Sequence, residues 1–145
     1  MLDSHVVKMC VETPQLLSGA HHMLDGNEAI EGIYKLTHKN HPCAIWTRAS
    51  NNNYTWLWCH FKALCDEYTH RYGKVHACER LLPILYKHPK NIPVGYLTPM
   101  PQCMPDEFKR LNTVDAYRAY YIGAKSHIAK WNKARPAPDW WPNKI

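Results

Sequence analysis

The sequence predicts a mainly α-helical fold, a compact bundle of four to five helices joined by long, ordered, proline-rich loops. Two observations support this prediction. Apolar residues recur at steps of three and four along several long segments, as they do in helices that bury one face. The segment 87–105 contains five prolines in nineteen residues, and that density excludes both a helix and a central strand.

Length and composition limit the architecture and exclude several classes of protein. The 145 residues suit one helical domain, and a hydrophobic content of 46% excludes a disordered chain. No apolar run approaches the ~20 residues that span a bilayer, and the first ten residues do not resemble a signal peptide. We therefore expect a cytoplasmic protein with no membrane partner and with its six cysteines reduced.

The first predicted helix spans about residues 4–24, where apolar side chains follow the helical period. Asp3 or Ser4 can cap its first turn, and Gly26 is typical of a helix end. Pro14 lies inside the pattern and removes one backbone donor, so we expect a kink or a split in this helix.

The same periodicity predicts three further helices, near 53–72, 77–87 and 113–131. Ser50 and Asn112 can cap two of them. We predict a turn at Asn40-His41-Pro42, followed by a short helical segment at 42–48. Proline is favoured at the first helical position, and the residue before it is pushed out of helical geometry.

One helical domain is expected over residues 1–145. Its proline-rich loop covers about 87–105, and an extended, tryptophan-rich tail covers about 134–145. Trp140 and Trp141 are expected to pack back on the body of the protein.

The first candidate for chemistry is a polar stripe on the first helix. His5, Lys8, Glu12 and Gln15 follow one another at steps of three and four, so they share one helical face. A carboxylate beside a lysine can act as a base with an amine nucleophile. The alternative is an exposed Lys8–Glu12 ion pair with no catalytic role.

The second candidate is the segment "THKNHPCAIWTR" around the predicted turn. His38, Asn40, His41, Trp46 and Arg48 are polar or amphipathic groups that a rigid turn can hold in place. The alternative is a purely structural turn. His38 and His41 can also begin a zinc site, but the spacing to Cys59, His60, His76 or Cys78 matches no zinc finger. We therefore predict no metal ligand and no cofactor.

Two further groups of residues complete the predicted site. His60, Glu67 and Arg71 lie along the second long helix, where a structural ion pair is the alternative. Gln102 and Tyr120 lie near basic residues, an arrangement that suits a flipped or single-stranded nucleotide. Here the alternative is that the tyrosines of the last helix belong to the core.

The charge balance points to a nucleic acid. The formal net charge is +6, which favours a polyanionic partner, and we expect that partner to be DNA. Glycine-rich phosphate loops, dinucleotide fingerprints and the common zinc-protease and serine-esterase motifs do not occur in the sequence.

Several motifs together resemble an uncharacterised family of small proteins from large tailed phages, especially marine ones. They are "HVVKMCVETPQLLSGAHHMLDG", "YKLTHKNHPCAIWTRASNNNYTWL", "EYTHRYGK" and "QCMPDEF". Such chains begin earlier, so the resemblance implies a first strand ahead of "HVVKM" that this sequence lacks. It also implies a location in the cytoplasm of the host cell.

The order of motifs is also similar to that of phage-type pyrimidine-dimer DNA glycosylases. A long helix with a carboxylate is followed by Y-x-x-x-H-x-N-H-P and by a helix that ends in R-Y-G. The resemblance implies a small, basic, helical enzyme whose N-terminal amine attacks the sugar with help from a glutamate. Glu12 is the position that matches this glutamate. Because Met1 precedes the bulky Leu2, which normally leaves the methionine in place, either Lys8 would have to replace the N-terminal amine or the activity is absent.

Three functions remain open at this point. The first is a DNA-acting enzyme, glycosylase-like or base-modifying, with a pocket between the first helix and the N-H-P turn. There Glu12 would be the base or stabiliser, His41 the proton donor and Arg48 a phosphate anchor. The second is a non-catalytic accessory protein that binds nucleic acid. The third is a helical protein with a His/Cys metal site.

Overall fold

A computed structural model describes residues 1–142, and the regular secondary structure of this part of the chain is helical, with no strand. The mainly α fold class is therefore confirmed. The five α-helices are α1 (Asp3–Asp25), α2 (Pro42–Ala49), α3 (Asn51–Tyr72), α4 (Leu82–Leu85) and α5 (Thr113–Ala124).

Helices α1 and α3 pack against each other in opposite directions and form the core. The late α1 residues Leu17 and Ala20 lie in one buried cluster with Tyr54 and Phe61 of early and middle α3. Val6 and Cys10 of early α1 instead pack with the α3 residues nearer its end, Leu64 and Tyr68. This antiparallel pairing sets the frame on which the other elements are placed.

The start of α1 differs from the prediction. Leu2 is the N-cap and makes no capping side-chain bond, whereas Asp3 is buried and forms an ion pair with Arg71 at 3.1 Å. Pro14 is fully buried inside a helix that runs without a break, so the predicted split is wrong. A single missing N–H is tolerated there because packing on α3 holds both flanking turns in place.

A buried chain of hydrogen bonds closes the other end of the α1–α3 pair. The Tyr54 hydroxyl donates to the Leu85 carbonyl at 2.7 Å, so its oxygen accepts from His21 Nε2 at 2.8 Å. Burial lowers the pKa of His21 to about 4. The imidazole is thus neutral near pH 7, which suits a ring whose Nδ1 has no protein partner.

The side chain of Asn53, which is fully buried, joins three segments of the chain. Its Nδ2 donates to the carbonyl of Trp46 and to Oγ1 of Thr98, each at 2.9 Å. Its Oδ1 accepts the backbone N–H of Thr98 at 3.0 Å. The proline-rich loop is therefore attached to α2 and α3 through specific hydrogen bonds, although it contains no regular structure between residues 92 and 100.

The helix predicted over 77–87 is much shorter in the structure. A 3₁₀ segment covers Ala77–Leu81, and the α-helical part, α4, has only four residues. Pro83 lies in its first turn, where a missing N–H costs nothing, and Pro89 follows shortly after its end.

The helix predicted over 113–131 ends early, at Ala124, and a 3₁₀ turn follows over Ser126–Ile128. Beyond it the chain pairs with the start of α1. The carbonyl of Lys130 accepts the Asp3 backbone N–H at 2.9 Å, and the Trp131 indole donates to the Met1 carbonyl at 3.1 Å. These bonds satisfy an otherwise unpaired donor at the helix start, and a continued helix would lose them.

The tail folds back on the body as far as the structure describes it. Trp141 is buried and packs edge-on against Trp131, with ring centroids 5.0 Å apart, and Trp140 lies against Tyr121. Residues 143–145 of the predicted tail lie outside the described residues. Between residues 1 and 142, no helix combines the length and apolar character that crossing a membrane requires.

Replacement of Asn53 by leucine should strongly destabilise the fold. The change keeps the approximate shape and removes three hydrogen bonds. We expect the free energy of unfolding to fall by about 3 kcal/mol, because each of the three lost hydrogen bonds contributes about 1 kcal/mol. Urea denaturation measures this value.

The neighbouring Asn52 offers a matched control for that experiment. Asn52 is exposed and donates a single bond, to the Gly95 carbonyl at 2.6 Å. Asn52→Leu should change the free energy of unfolding by less than about 0.5 kcal/mol. Equal losses for the two variants would show that the Asn53 bonds do not hold the loop.

Candidate active site

A cavity of about 590 Å³ opens between α1, the N-H-P turn, α2, α3 and α5. All of these elements contribute side chains to its wall. The lining residues are Met1, His5, Lys8, Met9, Glu12, Thr13, Gln15, Leu16, Thr37, His38, His41, Cys43, Trp46, Thr47, Trp56, Leu57, His60, Met100, Cys103, Tyr117, Tyr120, Tyr121 and Lys125.

The α1 wall carries the predicted base and amine. Lys8 Nζ lies 3.6 Å from Glu12 Oε1, and the two side chains are 61% and 45% exposed. They face the cavity together because residues four apart lie on one side of a helix. Because both side chains are exposed, a ligand can reach them. For the same reason, their ion pair contributes little to stability.

His5 connects this wall to α5. Its Nδ1 lies 2.8 Å from the Tyr121 hydroxyl. Burial, followed by the positive charges of Lys8 and Lys125, lowers the pKa of His5, and burial raises the pKa of Tyr121 to about 12. Near pH 7 the phenol is therefore protonated and the imidazole neutral, which favours donation from the hydroxyl to the ring.

Aromatic rings form the opposite side of the cavity. Trp56 and His60 stack with centroids 5.3 Å apart and planes 12° from parallel, and Trp46 meets Trp56 edge-on at 5.8 Å. The Trp46 indole donates to the Thr98 carbonyl at 3.0 Å, which fixes its ring. Burial lowers the pKa of His60, so this wall is uncharged near neutral pH. Such a surface suits a planar, apolar-faced ligand.

The N-H-P turn supplies two of the lining histidines. His38 has a positive φ of 49°, and its carbonyl accepts the His41 backbone N–H at 2.9 Å. The His41 ring caps α2, because its Nδ1 accepts the Cys43 backbone N–H at 3.1 Å. Proline at the first position of α2 holds this cap rigidly.

Arg48 lies behind the turn and does not line the cavity. Its guanidinium donates to the Lys39 carbonyl at 2.7 Å, which braces the turn from outside. We expected Glu12, His41 and Arg48 to share one pocket. Glu12 and His41 line the cavity, but Arg48 does not. Asn40 is exposed in the same turn and is likewise absent from the lining.

Glu67 and Arg71 belong to a separate ion network far along α3. Arg71 contacts both Asp3 and Glu67, and Glu67 also accepts from Arg135 at 2.6 Å. Burial would raise the pKa of Glu67, but the hydrogen bond and charge of Arg135 together with Arg71 outweigh it and lower the pKa. The network joins α1, α3 and the tail. Glu67 and Arg71 therefore form a structural ion pair, which was the alternative to a role in the site.

Gln102 also has a local partner instead of a place in the cavity. It exchanges two hydrogen bonds with the backbone of Arg110, at 2.6 and 3.0 Å. Tyr120 does line the cavity, where the Lys125 ammonium lies 5.3 Å from its ring centroid. Thus the cavity brings together eight of the predicted site residues: His5, Lys8, Glu12, His38, His41, Trp46, His60 and Tyr120.

The cavity wall also contains four residues that form its ring stack or polar contacts but were not among the predicted site residues: Trp56, Tyr121, Cys43 and Cys103. Trp56 lies four residues before His60, so helical spacing was an available signal for their stack. Tyr121 is one of the tyrosines of the last helix for which a place in the core was the alternative, and it lines the cavity. Cys43 and Cys103 are sixty residues apart, and their sulfurs are 3.5 Å from each other. No local pattern could predict that contact.

Comparison with protein families identifies the chain. The sequence model of the family described as "Pyrimidine dimer DNA glycosylase" matches residues 1–80, more than half of the protein. The chain belongs to the pyrimidine dimer DNA glycosylase family. Neither a curated protein nor a solved structure gives a significant match.

The glycosylase match covers most of the cavity but not all of it. Helices α1, α2 and α3 lie within residues 1–80 and carry the Lys8–Glu12 pair and the stacked rings. The wall formed by α5 and residue Cys103 lies outside the matched segment. Part of the cavity is thus built from sequence that the family model does not match.

The charge environment of His5 provides a test of this geometry. Lys125 follows α5 and acts on His5 across the cavity, so Lys125→Met should raise the pKa of His5 towards its ordinary value. Lys8→Met should act in the same direction from the same helix. NMR titration of the imidazole measures both shifts.

Lys62→Met is the control, since Lys62 lies on α3 and pairs with Asp66 away from the cavity. It should leave the pKa of His5 unchanged. An unchanged pKa in Lys125→Met would mean that α5 does not close over α1 in solution.

Proposed function

We propose that this protein is a DNA glycosylase that removes a damaged pyrimidine flipped into the cavity between α1, α3 and α5. The observation that carries the proposal is the Lys8–Glu12 pair of the family-matched segment, which opens into a cavity with stacked aromatic walls. An amine, a carboxylate and a stacking surface are the groups that base excision through a covalent intermediate requires.

The shape of the cavity fits a flipped base. Its volume of about 590 Å³ lies within the range of about 300–1,000 Å³ for small-ligand sites. The ring of Trp56, which is 40% exposed, offers an open face to a base, and stacking of this kind contributes about 1–3 kcal/mol per base. Histidines of the N-H-P turn can donate to its polar edge.

The chemistry assigned to α1 is a displacement at the sugar. Lys8 gives up a proton to the Glu12 carboxylate, 3.6 Å away, and the neutral amine attacks C1′. The Nζ–C1′ bond forms while the bond from C1′ to the base breaks. The base leaves with that electron pair and takes the proton that Glu12 received from Lys8. Glu12 then accepts a proton from the newly bonded nitrogen and gives it to O4′ as the C1′–O4′ bond breaks, which leaves a protonated imine on Lys8.

Cations at the edge of the cavity are suited to the DNA backbone. Lys8 and Lys125 both line it, and the whole chain carries a net charge of +6. Phosphates on either side of a flipped nucleotide would therefore meet positive charge.

Borohydride trapping tests the covalent step. Reduction of the protein with a duplex that holds one pyrimidine dimer, or one abasic site, should give a covalent adduct. Peptide mapping should locate it at Lys8. Glu12→Gln keeps the shape of the side chain and removes its charge, so we expect base excision to fall by a factor of about 10²–10⁴, with the thermal unfolding midpoint unchanged.

The pair Lys62 and Asp66 provides the control, because it has the same spacing on α3 and both side chains are exposed. Lys62→Met and Asp66→Asn should excise the base at the wild-type rate. An adduct at a different amine would show that Lys8 is not the nucleophile but would still support glycosylase activity. No adduct and no excision on either duplex would reject the enzyme in favour of a DNA-binding accessory protein.

Binding to DNA should weaken steeply with salt. For about four phosphate contacts, we expect affinity for a lesion duplex to fall roughly 100-fold between ~50 and ~200 mM salt. Lys8→Met and Lys125→Met should each lower the slope of log affinity against log salt by about one. Fluorescence anisotropy measures these slopes. An affinity that does not depend on salt would exclude binding through phosphates.

A further inference from the structure

Two cysteines and a histidine meet in the wall of the cavity. The ligand atoms of His41, Cys43 and Cys103 all lie within 4.8 Å of one another. We propose that these three side chains bind one zinc ion, which ties the proline-rich loop to the first turn of α2. The inference is independent of the proposed function, because metal binding is measured without DNA.

The distances suit zinc. The two sulfur atoms are 3.5 Å apart. Two Zn–S bonds of about 2.3 Å in tetrahedral geometry place their sulfurs about 3.8 Å apart, so a shift of a few tenths of an ångström would admit the ion. Two thiolates and an imidazole are a common zinc donor set, and soft sulfur ligands select against magnesium and calcium.

Hydrogen bonds to their backbone N–H groups hold Cys43 and Cys103 in place. Cys103 donates its N–H to the Tyr117 hydroxyl at 3.2 Å, and that hydroxyl donates to the Pro101 carbonyl at 3.2 Å. Cys43 and His41 are fixed by the capped first turn of α2. The donors are therefore positioned before a metal arrives, which reduces the entropy lost on binding.

No second group of this kind occurs among residues 1–142. The candidates from the sequence, Cys59, His60, His76 and Cys78, do not join it. Cys59 is exposed on α3 and serves as an internal control for the chemistry of a single surface thiol.

Binding has a defined balance of protons and charge. The two thiols release their protons to solvent as the zinc–sulfur bonds form, which leaves the site without net charge. His41 accepts the Cys43 N–H through Nδ1, so zinc binds this nitrogen in place of the capping bond, and the neutral ring keeps its proton on Nε2. All three ligands line the cavity, and the fourth position of the ion faces it and takes a water molecule.

Zinc content and cobalt spectra test the proposal on the full chain. Protein purified in reductant without a chelator should contain about one zinc ion per chain. After chelation, added cobalt should produce a thiolate-to-metal charge-transfer band. Cys43→Ser and Cys103→Ser should each lose the zinc and most of the band. His41→Asn retains a good helix cap and should weaken zinc affinity at least tenfold.

Cys59→Ser should retain both the zinc and the band. The proposal is overturned if wild-type protein gives no cobalt–thiolate band, a result that does not depend on whether any variant folds. It is also overturned if Cys43→Ser, Cys103→Ser double-variant protein still binds one zinc ion. A Cys43–Cys103 disulfide that persists in reductant, detected as a mass two hydrogens lower, would identify the pair as a cross-link and reject the metal site.

Discussion

The arrangement of the candidate site depends on one buried amide. Asn53 makes three hydrogen bonds to Trp46 of α2 and Thr98 of the proline-rich loop, while its own backbone lies in α3. A buried amide is costly unless its donors and acceptor are paired, so one arrangement of these segments is strongly favoured. The loop then continues to Met100 and Cys103 in the cavity wall. Without this junction, a segment that has no ladder of backbone hydrogen bonds would have little to define its position.

The antiparallel α1–α3 pair carries this junction and is closed at both ends by polar contacts. Near one end, Tyr54 links His21 to the end of α4, and at the other Arg71 joins Asp3. Burial keeps His21 neutral, whereas Asp3 and Arg71 are buried as a charged pair. Apolar packing supplies most of the stabilisation between these ends, and the polar contacts specify the register of one helix on the other.

The cavity combines a reactive face with a stacking face, and they come from different helices. Lys8 and Glu12 are exposed on α1, while Trp56 and His60 stack on α3. The tyrosines of α5 complete the enclosure from outside the segment that matches the glycosylase family. If zinc binds beside them, the loop and α2 would form a rigid wall, and the metal would tune the shape of the pocket without taking part in the proposed displacement at the sugar.

Local patterns in the sequence were sufficient for α1, for α3 and for the α3 cap at Ser50, because both helices have strong apolar periodicity. The same patterns placed Lys8 and Glu12 on one face, since helical spacing is a local property. Tertiary structure alone decided the rest. It ended α5 at Ala124, where the following chain gains hydrogen bonds to the start of α1. It placed Arg71 in an ion network with Asp3, and it brought Cys103 to Cys43 across sixty residues. These contacts depend on how distant segments meet, and no periodicity or spacing encodes that.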